Sequence, residues 1–198
     1  MFRTIRLAAA ALAALGLLTA CTGKAGGTAE PTGSAGTPSS TPAGAAPRVP
    51  AALPTTGLLA DPCTALSAAQ VSTIGLTGAG EKVNGSTGVN CKWLSTTSDS
   101  NAVVIAPLPV NTGGLSDIYA GKKQAAYFEP VTVSGYPAVF SEIQDSRTSG
   151  FCALWVGVTD QLAVQVSTLL PVGQNTSNPC PIAQKVADAM IQHLKGAA

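Results

Sequence analysis

Four cysteines carry the clearest chemistry in this chain: Cys63, Cys91, Cys152 and Cys180. None belongs to a CxxC pair, and the chain has a single histidine, so neither a zinc-thiolate site nor a dithiol redox motif is spelled out. An even number of cysteines behind an export signal reads instead as two disulfides, and four cysteines allow three pairings. Cys91 and Cys152 fall in strand-like stretches, where cross-strand neighbours come close enough to bridge. Cys63 and Cys180 follow Asp61-Pro62 and Asn178-Pro179, both helix-start signals. This reading favours Cys63 with Cys180 and Cys91 with Cys152.

Other reactive groups are sparse. His193, the one histidine, lies near the end of the last helical stretch and reads as a surface residue. No GxSxG elbow occurs. Gly75, Gly78 and Gly80 form neither GxGxxG nor a phosphate loop. Asp99, Asp117, Glu142, Asp145 and Asp160 are scattered, and Glu142 with Asp145 lacks the alternating ligands of a calcium loop. No catalytic residue, metal or cofactor is assigned, and the chain is not expected to be an enzyme. Eight of the nine aromatic residues lie between positions 93 and 155. Most suit a core, but Tyr119, Tyr127, Tyr136 and Trp155 fall at or beside the ends of elements. An aromatic there can keep one edge apolar and its polar tip wet. These four are the expected lining of a ligand cleft between a helix and a sheet.

The elements that would position them follow from periodicity. Ser67 with Gln70 three residues later forms a capping box, Val71 and Ile74 continue the apolar face, and Gly75 stops the helix. Asn84-Gly85 suggests a weak hairpin. Val89 to Ser95 alternates as a half-buried strand, and Ala102 to Leu108 is a more buried one. Leu115 to Phe128 has helical spacing, weakened by Gly121. Val131–Val133 and Tyr136–Phe140 are strands joined at Ser134-Gly135. Phe151–Thr159 and Leu162–Leu170 flank a two-residue turn at Asp160-Gln161. Ala183, Val186, Ala187, Met190 and Leu194 mark one face of a closing helix. Strands between terminal helices predict an α+β domain, an antiparallel sheet covered by its N- and C-terminal helices.

Composition sets the surroundings. Only 11% of the 198 residues are charged and the net charge is +1, which gives no basic field for nucleic acid. Arg3 and Arg6 precede a fourteen-residue apolar run, Leu7 to Ala20, too short to cross a bilayer and suited to a signal peptide. The run ends in Leu18-Thr19-Ala20-Cys21, which resembles the bacterial lipobox. That resemblance implies cleavage before Cys21, a diacylglycerol on its thiol and an acylated N-terminus, two chains being enough for stable anchoring. Residues 1–20 are thus read as a signal peptide and 21–60 as a lipidated N-terminus with a disordered Gly/Pro/Ser/Thr linker. Residues 61–198 are read as a disulfide-stapled domain. The expected location is the extracytoplasmic face of the cell membrane.

The order Asp61-Pro62-Cys63, Cys91-Lys92-Trp93, Gly135-Tyr136-Pro137-Ala138-Val139, Cys152 and Cys180 behind a lipobox resembles the actinobacterial lipoproteins that carry a domain of unknown function. The strand-GYPA-strand stretch is also similar to the PsbP-like α/β/α sandwich lipoproteins. The first resemblance implies a lipid-anchored envelope protein with disulfides and transfers no catalytic residue. Two functions compete on this reading. One is a non-enzymatic module that binds a small apolar ligand or an envelope protein partner. The other is an accessory or structural subunit that docks on a membrane or cell-wall complex.

Overall fold

Seven strands, every neighbouring pair antiparallel, make one sheet in the order β1-β2-β3-β7-β6-β5-β4. They are β1 Glu81–Gly85, β2 Gly88–Ser95, β3 Ser98–Pro107, β4 Tyr127–Val133, β5 Tyr136–Glu142, β6 Phe151–Thr159 and β7 Leu162–Leu169. The computed structural model describes residues 45–197, and the leader and lipidation site expected before them lie outside the described residues. The α+β class read from the sequence holds.

The helices are α1 Thr56–Ala60, α2 Ala68–Ile74, α3 Leu115–Ala120 and α4 Cys180–Gly196, with a 3-10 turn at Pro62–Ala65. Strand alternation sorts the side chains into two faces. One face, with Trp93, Ile105, Val156, Val164 and Tyr136, packs against α1, the 3-10 turn, α2 and α4 and forms the main core. On α4, Ala183, Val186, Ala187, Met190 and Leu194 are buried as their spacing requires, joined by Ile191. The other face carries a smaller cluster in which Ala46, Leu115 and Val139 meet Ile118, Tyr119, Phe128 and Trp155.

Local rules explain several ends. Ser67 accepts the Gln70 N–H while the Gln70 side chain accepts the Ser67 N–H, and Gly75 ends α2 in the left-handed region at φ 87°. The Asp61-Pro62 signal opens a 3-10 turn rather than an α-helix, with the Asp61 carboxylate accepting the Cys63 N–H at 3.0 Å. The turns at Ser134-Gly135 and Asp160-Gln161 join β4 to β5 and β6 to β7 as expected. The first hairpin is shifted, because Gly85 pairs with Gly88 and the turn is Ser86-Thr87.

Two expectations are corrected here. The helix read over Leu115–Phe128 ends at Ala120, and Tyr127 and Phe128 begin β4. Gly121 breaks the run, and Ala125 enters extended backbone. The linker read over 21–60 also stops short of 61. Ala46, Leu53 and Leu58 are buried, and the Leu53 N–H donates to the Val158 carbonyl at 2.9 Å. Residues 45–60 form a strap that passes from the smaller cluster to the main core, anchored by Ala46, Leu53 and Leu58, with Val49 packed beside them, in an alanine- and proline-rich stretch.

Candidate functional site

The cysteines close two short rings. Cys63 bonds Cys91 with a Cα–Cα distance of 5.0 Å, and Cys152 bonds Cys180 at 5.2 Å. The expected pairs, Cys63–Cys180 and Cys91–Cys152, are therefore corrected. Register gives the reason. Cys91 stands opposite Ile105, Ile105 opposite Val166, and Val166 opposite Leu154. Strands β3 and β7 thus separate β2 from β6, so Cys91 and Cys152 lie on the order of 14 Å apart at the usual strand spacing, beyond any disulfide. Each strand cysteine bonds the Pro-Cys turn that covers it instead.

Cys91 and Trp93 are two residues apart on β2, so both point into the main core, each no more than 1% exposed. Above them sits Gly80, at φ 79°. A Cβ there would lie 2.5 Å from the Cys91 sulfur and 2.7 Å from the Trp93 indole nitrogen. That nitrogen has no hydrogen-bond partner. The Cys-Lys-Trp sequence is accordingly a packing device under a backbone lid, with Lys92 on the opposite face.

The four aromatics expected to share a cleft are split between the two faces. Tyr127 and Tyr136 are buried in the main core, whereas Tyr119 and Trp155 are half-buried in the smaller cluster. Tyr119 meets Phe128 edge-on at 4.9 Å, and the Trp155 indole donates to the Ser141 carbonyl at 2.8 Å. Burial pushes the hydroxyls of Tyr119 and Tyr127 up. No cleft joins the four, because alternation sends Tyr127 and Phe128 to opposite sides of β4.

Two openings flank the start of α4. The first, about 460 Å³, is lined by Glu129, Asp145, Arg147, Thr148 and the Ser177–Pro181 turn. Arg147 is held there by two carboxylates and an aromatic ring. Its Nε and one terminal nitrogen donate to Asp145 at 2.9 and 2.7 Å, and the other donates to Glu129 at 2.8 Å. Its guanidinium also lies 4.1 Å from the centre of the Tyr127 ring. Hydrogen bonding to Arg147 holds the Asp145 carboxyl at about 2, and Arg147 is driven further up by the same contacts. At neutral pH Asp145 and Arg147 are both charged, and their pairing fastens the 142–150 loop.

The second opening, about 330 Å³, lies between the end of α2, the β2–β3 turn and the loop after β7. Leu76, Val103 and Leu170 form a buried floor, Ile74 and Ile182 the half-buried walls, and Val172 the exposed lip. Asn101 fixes that lip from both sides: its amide donates to the Val172 carbonyl at 2.9 Å and accepts the Val172 N–H at 3.3 Å. Ser95, Thr96, Thr97, Gln174 and Asn175 make the rim, and no ionisable side chain lines the space. An apolar floor with a neutral polar rim is the arrangement of a binding cleft. Sequence reading missed these residues because they are scattered from position 74 to 182. The one local signal was Asn101, a polar residue at the head of the apolar run of β3, buried at 8% exposure.

His193 is half-exposed on α4. Glu142 accepts its neighbour Ile143's N–H, and Asp160 holds the strap. No cluster of three or more metal-ligating side chains occurs among the described residues, and none of their helices is long and apolar enough to cross a membrane. One family model matches the chain, over residues 16–193, and its description is "Protein of unknown function (DUF3558)". Neither a curated protein nor a solved structure matches.

Proposed function

We propose, for a chain that belongs to the DUF3558 family of proteins of unknown function, that it is a non-enzymatic binding module tethered through Cys21. The tether is the diacylglycerol-bearing cysteine read from Leu18-Thr19-Ala20-Cys21, as in actinobacterial lipoproteins, on the extracytoplasmic face of the cell membrane. The observation that carries the binding role is the 330 Å³ cleft, floored by Leu76, Val103 and Leu170 and free of ionisable side chains. Leu76 and Val103 belong to the main core and Ile74 and Ile182 pack against it, which favours a site formed before a ligand arrives.

Two measurements test this. The intact mass of the chain extracted from membranes should exceed that of the chain beginning at Cys21 by a diacylglycerol and an acyl group. An unmodified Cys21 sinks the anchor. Gentle native mass spectrometry of the same material should show a small molecule in non-covalent complex, and a bare chain argues against the module.

A second reading, an accessory subunit docking on a membrane or cell-wall complex, has its own observation. Leu94, Ala102, Leu169 and Phe151 stand opposite one another in a row across β2, β3, β7 and β6. Leu169 is 41% exposed and nearby Val172 47%. Crosslinking in whole cells that traps one envelope protein at Leu169, together with an empty cleft, favours this reading.

A further inference from the structure

We propose that the cleft selects an uncharged amphiphile, with its hydrocarbon tail on the Leu76, Val103 and Leu170 floor and a neutral head at the mouth. This rests on the reading of the chain as a binding module and adds the chemical class of its ligand. None of the fifteen residues lining the space is Asp, Glu, Lys, Arg or His. A carboxylate, phosphate or ammonium drawn into it would lose water and meet no opposite charge, which is unfavourable.

The polar groups of the rim narrow the class further. The Asn101 side chain is paired in both directions with the Val172 backbone. The Thr96 hydroxyl donates to the Gly75 carbonyl at 3.1 Å, and the Ser95 and Thr97 hydroxyls bond each other at 2.9 Å. These contacts close the walls instead of reaching for a sugar or peptide. Gln174 and Asn175 sit at the exposed outer edge, on the chain that leaves β7, and their amides suit a hydroxyl or ester head. A volume of about 330 Å³ suits one short chain.

The experiment uses the purified full chain and the neutral fluorophore N-phenyl-1-naphthylamine, whose emission rises in apolar surroundings. Three competitors share one twelve-carbon tail: monododecanoylglycerol, dodecanoate at pH 8 and dodecyltrimethylammonium, each below its micelle concentration. The neutral competitor should displace the probe at concentrations about ten-fold lower than either ion, the cost of an unpaired charge. Ile182→Trp, which fills one wall, should weaken probe binding at least about ten-fold, judged against a circular dichroism spectrum matching the parent. Val172→Lys changes only the exposed lip and should shift the preference toward dodecanoate. Equal or better displacement by either ion, with Ile182→Trp still blocking, overturns the ligand class and leaves the module standing. Probe binding that neither variant alters overturns both, since the cleft is then not the site.

Discussion

The Asp160 carboxylate, in the turn between β6 and β7, accepts the backbone N–H of Val49 at 3.1 Å. Its second oxygen receives the Arg48 guanidinium at 2.8 Å. One side chain in a tight turn thereby fixes a segment more than a hundred residues earlier, where the strap turns from one face of the sheet to the other. The two contacts differ in weight. The Arg48 side chain is 80% exposed, so that ion pair is screened by water. The Val49 N–H is partly buried and has the carboxylate as its acceptor. Asp160→Ala should lower stability by about 1–2 kcal/mol, and Arg48→Ala by less than about 0.5 kcal/mol. Denaturant midpoints measure both, and limited proteolysis of the first variant should open new cuts between residues 45 and 55.

Peptide mapping without reduction should recover Cys63 linked to Cys91 and Cys152 linked to Cys180. Each bond spans 28 residues. A ring of that size restricts the unfolded chain by about 3–4 kcal/mol in the chain-entropy account. Replacing Cys152 and Cys180 together by Ala should cost that order of stability, less whatever the two alanines recover by packing. A linked Cys91–Cys152 peptide would overturn the sheet order itself.

Gly80→Ala tests the lid over the first disulfide. The added methyl meets the Cys91 sulfur and the Trp93 ring inside contact distance, and the backbone at φ 79° disfavours any side chain. A loss of about 1–3 kcal/mol is expected, together with altered tryptophan emission, since Trp93 is one of only two tryptophans. Gly78→Ala, with open space around its Cβ, is the matched control for backbone strain alone.

Acid should loosen the 142–150 loop before the core. The folded Asp145 carboxyl sits at about 2 against an ordinary 3.8, held down by Arg147. A depressed carboxyl contributes stability that is complete above the unfolded value and is lost as pH falls toward the folded one. The window is therefore from roughly pH 4 down to about 2. Asp61, lowered by Lys82 and by the Cys63 N–H, acts in the same direction. Asp145→Asn should flatten the stability profile across that window and leave it unchanged at pH 7 in slope. Urea titrations at half-unit pH steps read the difference.

Truncating the aromatics separates wall from core. Tyr136→Ala and Tyr127→Ala, both in the main core, should each cost about 3–5 kcal/mol. Tyr119→Ala, half-buried against Phe128, should cost clearly less and leave binding in the 330 Å³ cleft intact. If Tyr119→Ala abolishes binding, the site lies on the opposite face of the sheet.

How far the sequence carried this fold depends on the range of the interaction. Ser67 with Gln70, the Asp160-Gln161 turn and the period of α4 act within a few residues, so their residue types alone report them. The pairing of β3 with β7 joins positions 102–107 to 164–169, and no local pattern announces it. The disulfide pairing followed from that missing fact, since it depends on which strands are neighbours. The helix over Leu115–Phe128 failed differently, because Tyr127 and Phe128 fit a helical stripe and a two-faced strand equally well. The strap escaped notice because Ala46, Leu53 and Leu58 are too few to raise a hydrophobic period. The cleft belongs to the same class as the β3–β7 seam, as its walls come from α2, β3, the post-β7 loop and α4.

The two disulfide rings follow one another along the chain and do not interleave. Residues 63 to 91 close the first, and 152 to 180 the second, with sixty residues free between them. Of the three pairings open to four cysteines, this one joins each thiol to the next available. If the chain is exported as proposed, N-terminus first into an oxidising compartment, the first ring can close before Cys152 arrives, leaving Cys152 and Cys180 for the second. Cys21 stays out of this sequence if its sulfur is already a thioether. Under the proposed export, correct oxidation would follow the order in which the thiols emerge, with no reshuffling of bonds once the sheet has closed along β3 and β7.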